Sequence, residues 1–245
     1  MGRVWIHAAI ASVTRLIVDL RVGPRTLEMA AELVASVAMA CGENLPLLLI
    51  DNHLPYPAAI LQVWGEILHG RRRKGRGRYK HPRLKPPRGL LAAVVEKVRD
   101  SSLRVIRVRA RRLFGRLKDV RQRVRRLKIG QEVNTAHVER LNGTMRGQQG
   151  RLARRTRKAS RLTQALQWSL WLWRDVYNWT RVHASLGQTP AMAHGLTQQV
   201  WSVLQYVLYP VHADDLQREI WAEQRQEWLT SALDRQKFKE PLPTS

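Results

Sequence analysis

Residues 45–50, Leu-Pro-Leu-Leu-Leu-Ile, form an unbroken apolar run between Asn44 and Asp51. A segment this short and this uniformly apolar has no solvent-facing side and has to be covered on both. Periodicity alone allows a buried helix, but the length and a clear helix just ahead of it favour a strand. Two more strands precede that helix, at residues 4–10 and 16–22. Both are aliphatic and β-branched, and polar residues from Ser12 to Arg15 separate them. Gly23-Pro24 closes the second strand, and Pro24 falls near a helix start, where its missing N–H does no harm. Leu27, Ala30, Ala31, Val34, Val37, Ala38 and Cys41 then recur at spacings of three and four, one face of a helix that Gly42 ends. Strand, strand, helix, buried strand is the order of an α/β domain. A second helix is predicted over residues 56–68.

Charge is distributed very unevenly. The chain carries 43 Lys+Arg against 19 Asp+Glu, a net charge of +24. Residues 71–128 hold 24 of those cations and three acids, Glu96, Asp100 and Asp119, so this stretch alone accounts for +21. It opens as a Gly/Pro-rich basic loop over 71–88. Alternation over 92–99 and 103–109 around Asp100-Ser-Ser102 then predicts a hairpin. Leu113, Leu117, Val120, Val124 and Leu127 predict an amphipathic helix whose other face is Arg and Lys. A protein this basic needs a polyanionic partner: DNA, RNA or an anionic membrane surface. The membrane surface is the weakest of these, because the basic helix has no bulky aromatic face.

Other features narrow the class. A hydrophobic fraction of 44% suffices for a core and argues against global disorder. No apolar run approaches the roughly 20 residues that span a bilayer. Residues 1–13 loosely resemble a secretion leader, but His7 interrupts them and the chain continues as strand, so they read as part of the fold. The one cysteine, Cys41, is expected as a buried, inert thiol in a reducing compartment, a cytoplasm. Helices are expected over 134–146, over 160–183 with its tryptophans, and over 214–237.

Two carboxylates attract chemistry. Asp51 stands just past the buried strand, where ligands gather in open α/β sheets, although an Asp there is commonly only a helix cap. Glu139 lies in Asn134-Thr-Ala-His-Val-Glu-Arg-Leu-Asn-Gly-Thr-Met-Arg146, an isolated acid before a basic run. An ion pair with Arg140 or Arg146 is its ordinary fate. The other reading is a metal ligand beside a DNA backbone, since paired divalent ions stabilise the attacking and leaving oxygens of a phosphoryl displacement. Hard Mg²⁺, or Mn²⁺, suits carboxylates, and zinc-type His/Cys spacing is missing. His137, two residues from Glu139, points to a different helix face and is not taken as a ligand.

Leu47-Leu-Leu-Ile-Asp51-Asn-His-Leu-Pro-Tyr56 with the Glu139 segment, Arg151-Leu-Ala-Arg-Arg-Thr156, Tyr177-Asn-Trp-Thr-Arg-Val-His183 and Thr189-Pro-Ala-Met-Ala193 resembles DDE-type insertion-sequence transposases. The resemblance spans roughly residues 4–196 and is most specific in its second half. It implies an α/β, ribonuclease H-like mixed sheet flanked by helices and interrupted by a basic hairpin-plus-helix insertion. It also implies three acids binding two Mg²⁺, and DNA strand transfer at element ends by a homo-oligomer on DNA. The corresponding divisions are residues 1–70 and 131–196 for the core, 71–130 for the insertion and 197–245 for a helical extension. Asp51 and Glu139 match the second and third acids. The strand carrying the first would precede Met1, so that strand and its acid are expected to be missing, and Asp19 is a poor substitute on the wrong strand. The resemblance thus implies either an incomplete strand-transfer core or a DNA-binding remnant that inhibits an intact enzyme through mixed multimers. Arg140, Arg146, Arg151, Arg154, Arg155 and Lys158 are the expected phosphate contacts near the site. Trp168, Trp171, Trp173 and Trp179 could stack on bases, but their helical setting favours packing.

Overall fold

A computed structural model describes residues 4–69, 81–102, 104–130, 132–152 and 160–209. The basic residues 70–80, the run 153–159 and the helix expected over 214–237 lie outside the described residues. β1 (Trp5–Ile10) and β2 (Ile17–Gly23) pair antiparallel from Trp5↔Gly23 to Ile10↔Ile17, with a bulge beside Ala9. α1 (Leu27–Cys41) starts where the Thr26 hydroxyl accepts the Met29 N–H at 3.4 Å and stops at Gly42, whose φ of 55° breaks the helix. Its predicted stripe is buried through Ala30, Ala31, Val34 and Ala38.

β3 (Leu47–Asp51) follows, then α2 (Pro55–Trp64), which packs Ala59, Ile60 and Val63 against α1. The helix predicted over 56–68 is too long. The Gly65 N–H caps Leu61 O at 2.8 Å, and the chain turns into β4 (Glu66–Leu68), antiparallel to β5 (Arg83–Lys85). That pairing, closed by Glu66 and Lys85 at 2.8 Å, joins segments far apart in sequence and has no local signal.

β6 (Leu91–Arg99) and β7 (Val105–Phe114) are the predicted hairpin, though β7 runs longer than expected. The helix predicted from Leu113 therefore begins only at α3 (Leu117–Arg126). Gly115 makes the turn between them at φ 71°, where a Cβ would lie 2.4 Å from Leu91 Cδ2. β6 is parallel to β3 and antiparallel to β7, giving a mixed sheet of order β3-β6-β7 beside the separate β1-β2 pair. The expected α/β class with a mixed sheet flanked by helices is therefore present.

β3 is covered on both faces, as its composition demands. Leu48 and Ile50 pack toward α1 and α2, and Leu47 and Leu49 toward α3. It is nevertheless only half-buried, because among the described residues the edge away from β6 has no neighbouring strand. The buried stretch of the sheet is in β6, where Ala92, Ala93, Val94 and Val95 are enclosed between β3 and β7.

The remaining elements are α4 (Ala136–Gln148), a 3₁₀ turn (Gly150–Leu152), α5 (Thr163–Trp179), α6 (Pro190–Ala193) and α7 (Val203–Leu208). α5 lies along the outer edge of β2 and takes the place of a neighbouring strand. Gln167 accepts from Val22 N–H and donates to Leu20 O, both at 2.7 Å, and Asn178 accepts from Ile17 N–H and donates to Ile17 O, both at 2.9 Å. Trp171 Nε1 adds a bond to Leu20 O at 3.1 Å. Trp173 is buried with its N–H on Gln148, and Trp179 packs on Trp201, so these tryptophans pack as expected; Trp168 stays exposed.

The other face of β2 holds a buried ion cluster. Asp19 accepts from Arg21 Nε at 2.6 Å and from the Ser36 hydroxyl at 2.7 Å, and Arg21 also reaches Glu32 at 3.1 Å. This is the role of Asp19: a structural counter-ion in the β2–α1 interface. Removing one member leaves a buried charge short of its partner. Asp19→Asn is expected to lower stability by about 3 kcal/mol in urea denaturation. Gln167→Leu, which orphans the Val22 N–H, is expected to cost about 2 kcal/mol. A loss below roughly 0.5 kcal/mol for the latter would show that the amide does not seal the β2 edge.

Candidate functional site

A cavity of about 1100 Å³ opens between the two sheets, bordered by β1, β3, α1, α2 and α4. Asp51 and Glu139 both line it, and the β3–β6 register relates their positions. Asp51 pairs with Val95 on β6, and two residues on, Lys97 lies on the same face of that strand. The Lys97 ammonium makes an ion pair with Glu139 Oε2, while the Thr135 hydroxyl donates to Glu139 Oε1 at 2.7 Å. Both partners of the ion pair are part-exposed, so it contributes little stability. It positions the carboxylate instead.

At the same end His7, His53 and Tyr56 form an aromatic cluster, with ring centroids 5.6 Å apart for the two histidines and 5.0 Å for His53 and Tyr56. His7 donates from Nε2 to Pro24 O at 3.2 Å. His53 is buried, and its Nε2 has no hydrogen-bond partner among the described residues. Burial lowers the pKa of both histidines, opposed in part by the Asp51 carboxylate. Burial also pushes the Tyr56 hydroxyl well above its ordinary value, with Asp51 adding to the effect. Burial likewise lowers the pKa of His137. The His137 ring donates from Nε2 to Ile129 O at 3.1 Å and rests against the Arg15 guanidinium, away from Glu139.

Arg146 lines the cavity one face-turn beyond Glu139 and Asn142, and Arg140 is exposed on α4. Arg151 is exposed at the 3₁₀ turn, 3.4 Å from Ser160 Oγ. Arg154, Arg155 and Lys158 lie outside the described residues. Asn178, matched to a family position, belongs to the β2 edge described above, and His183 packs edge-on against Tyr177 at 4.7 Å. Cys41 borders the cavity half-buried, its thiol pKa raised by that burial.

Among the described residues no group of three or more His, Cys, Asp or Glu is placed to hold a metal ion. Asp51 and Glu139 are hard oxygen donors of the kind Mg²⁺ takes, but two carboxylates, one of them held by Lys97, do not make a complete site. The functional groups that sequence reasoning missed are Lys97 and the His53 ring. Strand alternation placed Lys97 with Val95, but nothing local linked it to Glu139.

No family model, curated protein or solved structure matches the chain. The functional reading therefore rests on its own surface. That surface is dominated by β7 and α3. Arg107, Arg109, Arg111 and Arg112 are exposed on the outer strand, and Lys118, Arg121, Arg123, Arg125 and Arg126 are exposed on the helix. Arg111 pairs with Glu96 at 2.9 Å. Val120 and Val124 anchor α3 to the sheet and leave the rest of its circumference cationic. Among the described residues no helix is long and apolar enough to cross a membrane.

The buried histidines make stability depend on pH. A base whose folded pKa is lowered binds fewer protons folded than unfolded, so stability is full above the ordinary value of 6.5 and falls as the pH drops below it. Melting temperature should therefore decline from pH 7 to pH 5, and His7→Gln should flatten the decline. An unchanged slope in that variant would remove His7 from the effect.

Proposed function

We propose that this chain binds DNA through the sugar-phosphate backbone, on a ribonuclease H-like core of the DDE transposase type. In this reading Asp51 and Glu139 are two of the three carboxylates such a core uses for Mg²⁺-dependent strand transfer. The observation that carries the proposal is the run of exposed cations on β7 and α3, on the sheet edge opposite β3 and connected to the acid-lined cavity through β6. Arginine on an edge strand also discourages edge-to-edge aggregation. That role does not account for the matching cations around α3.

Backbone binding of this kind gives affinity without base readout and weakens steeply with salt. Glu139 tied to Lys97, and the lack of a third donor among the described residues, favour DNA engagement without cutting over strand transfer. A complete strand-transfer site requires one more carboxylate than these residues supply. Where Mg²⁺ is bound, it would bring a polarised phosphate and an activated hydroxyl to the Asp51 end of the cavity. Arg140, Arg146 and Arg151, with Arg154, Arg155 and Lys158 beyond them, would hold the DNA backbone there. A homo-oligomer on transposon-end and target DNA belongs to the same proposal.

The test is fluorescence anisotropy with labelled duplex of arbitrary sequence across a salt series. Binding should weaken linearly in log–log form. Joint Arg121→Ala and Arg125→Ala replacement should reduce the slope by about two if both contact phosphates. Absence of salt-dependent binding sinks the proposal. Mg²⁺-dependent strand transfer by the chain, abolished by Asp51→Ala, would instead overturn the view that a further carboxylate is needed.

A further inference from the structure

Three segments meet below the turn that joins β1 to β2. Ile17 of β2, Leu141 of α4 and Tyr177 of α5 share one buried apolar cluster, and Asn178 bonds both backbone groups of Ile17. Each segment carries an arginine beside that cluster. Arg15 stands two residues before Ile17, Arg140 adjoins Leu141, and Arg181 lies four residues past Tyr177 with its guanidinium carbon 5.8 Å from the Tyr177 ring centroid. Arg15 has φ 62°, a left-handed conformation unfavourable for a residue with a long side chain. Its Nη1 donates to Ser12 O at 2.6 Å and to the His137 ring, whose own Nε2–H goes to Ile129 O. The Nε and Nη2 of Arg15 have no partner among the described residues.

The positive charges bear on one another. Burial lowers the pKa of Arg15, and the Arg140 charge lowers it further. His183 is lowered by burial and then by Arg181 and Arg15; His137 is lowered by burial and then by Arg15 and Arg140. Tyr177, 6% exposed, has its hydroxyl raised by burial and drawn back by Arg181 and Arg15. Among the described residues no carboxylate pairs with any of the three arginines. Glu139, next to Arg140, is bonded to Lys97 and Thr135. A guanidinium cannot relieve such crowding by losing its proton. His183 adds an independent observation: its ring meets Tyr177 edge-on at 4.7 Å, and its Nε2 is buried without a hydrogen-bond partner among the described residues. Buried polar atoms are rarely left in that condition.

We propose that Arg15, Arg140, Tyr177, Arg181 and His183 form a binding site for one phosphate group, free or esterified. None of the five borders the acid-lined cavity, so the site is separate from it. Guanidinium forks match the oxygens of a phosphate with paired N–H donors. Three of them arriving from the β1–β2 turn, α4 and the end of α5 offer donors from separate directions, which suits a tetrahedral anion better than a flat carboxylate. His183 donates from Nε2 in its neutral form, so it adds a donor without adding to the repulsion, and the Tyr177 hydroxyl does the same. A doubly charged anion offsets the crowding that no carboxylate among the described residues relieves. The inference rests on the DNA reading only for one of its two sources of phosphate, the sugar-phosphate backbone; the other is a free phosphate compound.

The test follows thermal melting of the full chain in inorganic phosphate against sodium chloride at matched ionic strength. Phosphate at ten times its dissociation constant should raise the melting temperature by about 4 °C. Arg140→Gln and Arg181→Gln, both at exposed positions, should each lose most of that shift. Arg121→Gln, which removes an exposed cation of α3 outside the cluster, should keep it. No shift in the unaltered chain, a shift retained by either cluster variant, or an equal loss in Arg121→Gln overturns the proposal. Anisotropy with labelled duplex then distinguishes the sources, and both of its outcomes uphold the site. Displacement of DNA by phosphate, lost in Arg181→Gln, identifies the sugar-phosphate backbone as the ligand; DNA and phosphate bound together identify a free phosphate compound. A phosphate shift without DNA binding defeats the DNA proposal alone, and DNA binding without a phosphate shift defeats this site alone.

Discussion

The fold depends on how the free edge of β2 is satisfied. A two-stranded ribbon has two edges of unpaired backbone groups, and neither can be buried without partners. Gln167 and Asn178 provide those partners from one stripe of α5, each using its amide as both donor and acceptor, so a helix completes the ladder. This fixes α5 along β2, brings Trp173 and Tyr177 into the cluster with Leu141 and Met145, and thereby fixes α4. Glu139 and Arg146 reach the cavity because α4 is held there. A glutamine and an asparagine far from any chemistry are thus positioning residues for the acidic site.

The three other edges of the two sheets beside the cavity are treated differently. β7 is lined with exposed arginine, which keeps it soluble and makes it the cationic border of the molecule. The cavity-facing edges of β1 and β3 pair with no strand among the described residues. The aspartates divide along the same lines. Asp19, enclosed with Arg21 and Ser36, belongs to the architecture; Asp51, exposed at the end of β3, belongs to the cavity. Both follow apolar strand residues in sequence, and only their surroundings distinguish them.

Local patterns made most of the elements legible. The helical stripe from Leu27 to Cys41, the stop at Gly42 and the hairpin around Asp100 are all read from spacing and turn chemistry, and all are present. What sequence could not convey was pairing at a distance. The helix expected over 56–68 gave way at Gly65 because residues 66–68 find Arg83–Lys85, a contact with no local trace. The apolar run before Asp51 correctly asked for two covering faces, but composition says nothing about edges, so its half-exposure was invisible. At the site, Asp51 and Glu139 were legible, and their shared cavity emerged only from the fold. The Lys97–Glu139 pair depends on β6 extending past the end of β3, a difference in strand length that a motif does not encode.

Three apolar clusters meet at the cavity without merging. Cooperativity in folding comes from contacts shared across a core, and here those contacts are fewest along the line between β1 and β3. The molecule has a built-in seam. Thermal opening is expected to begin where the shared packing is thinnest. A group bound only by the folded seam would tie the three clusters together and raise their common stability.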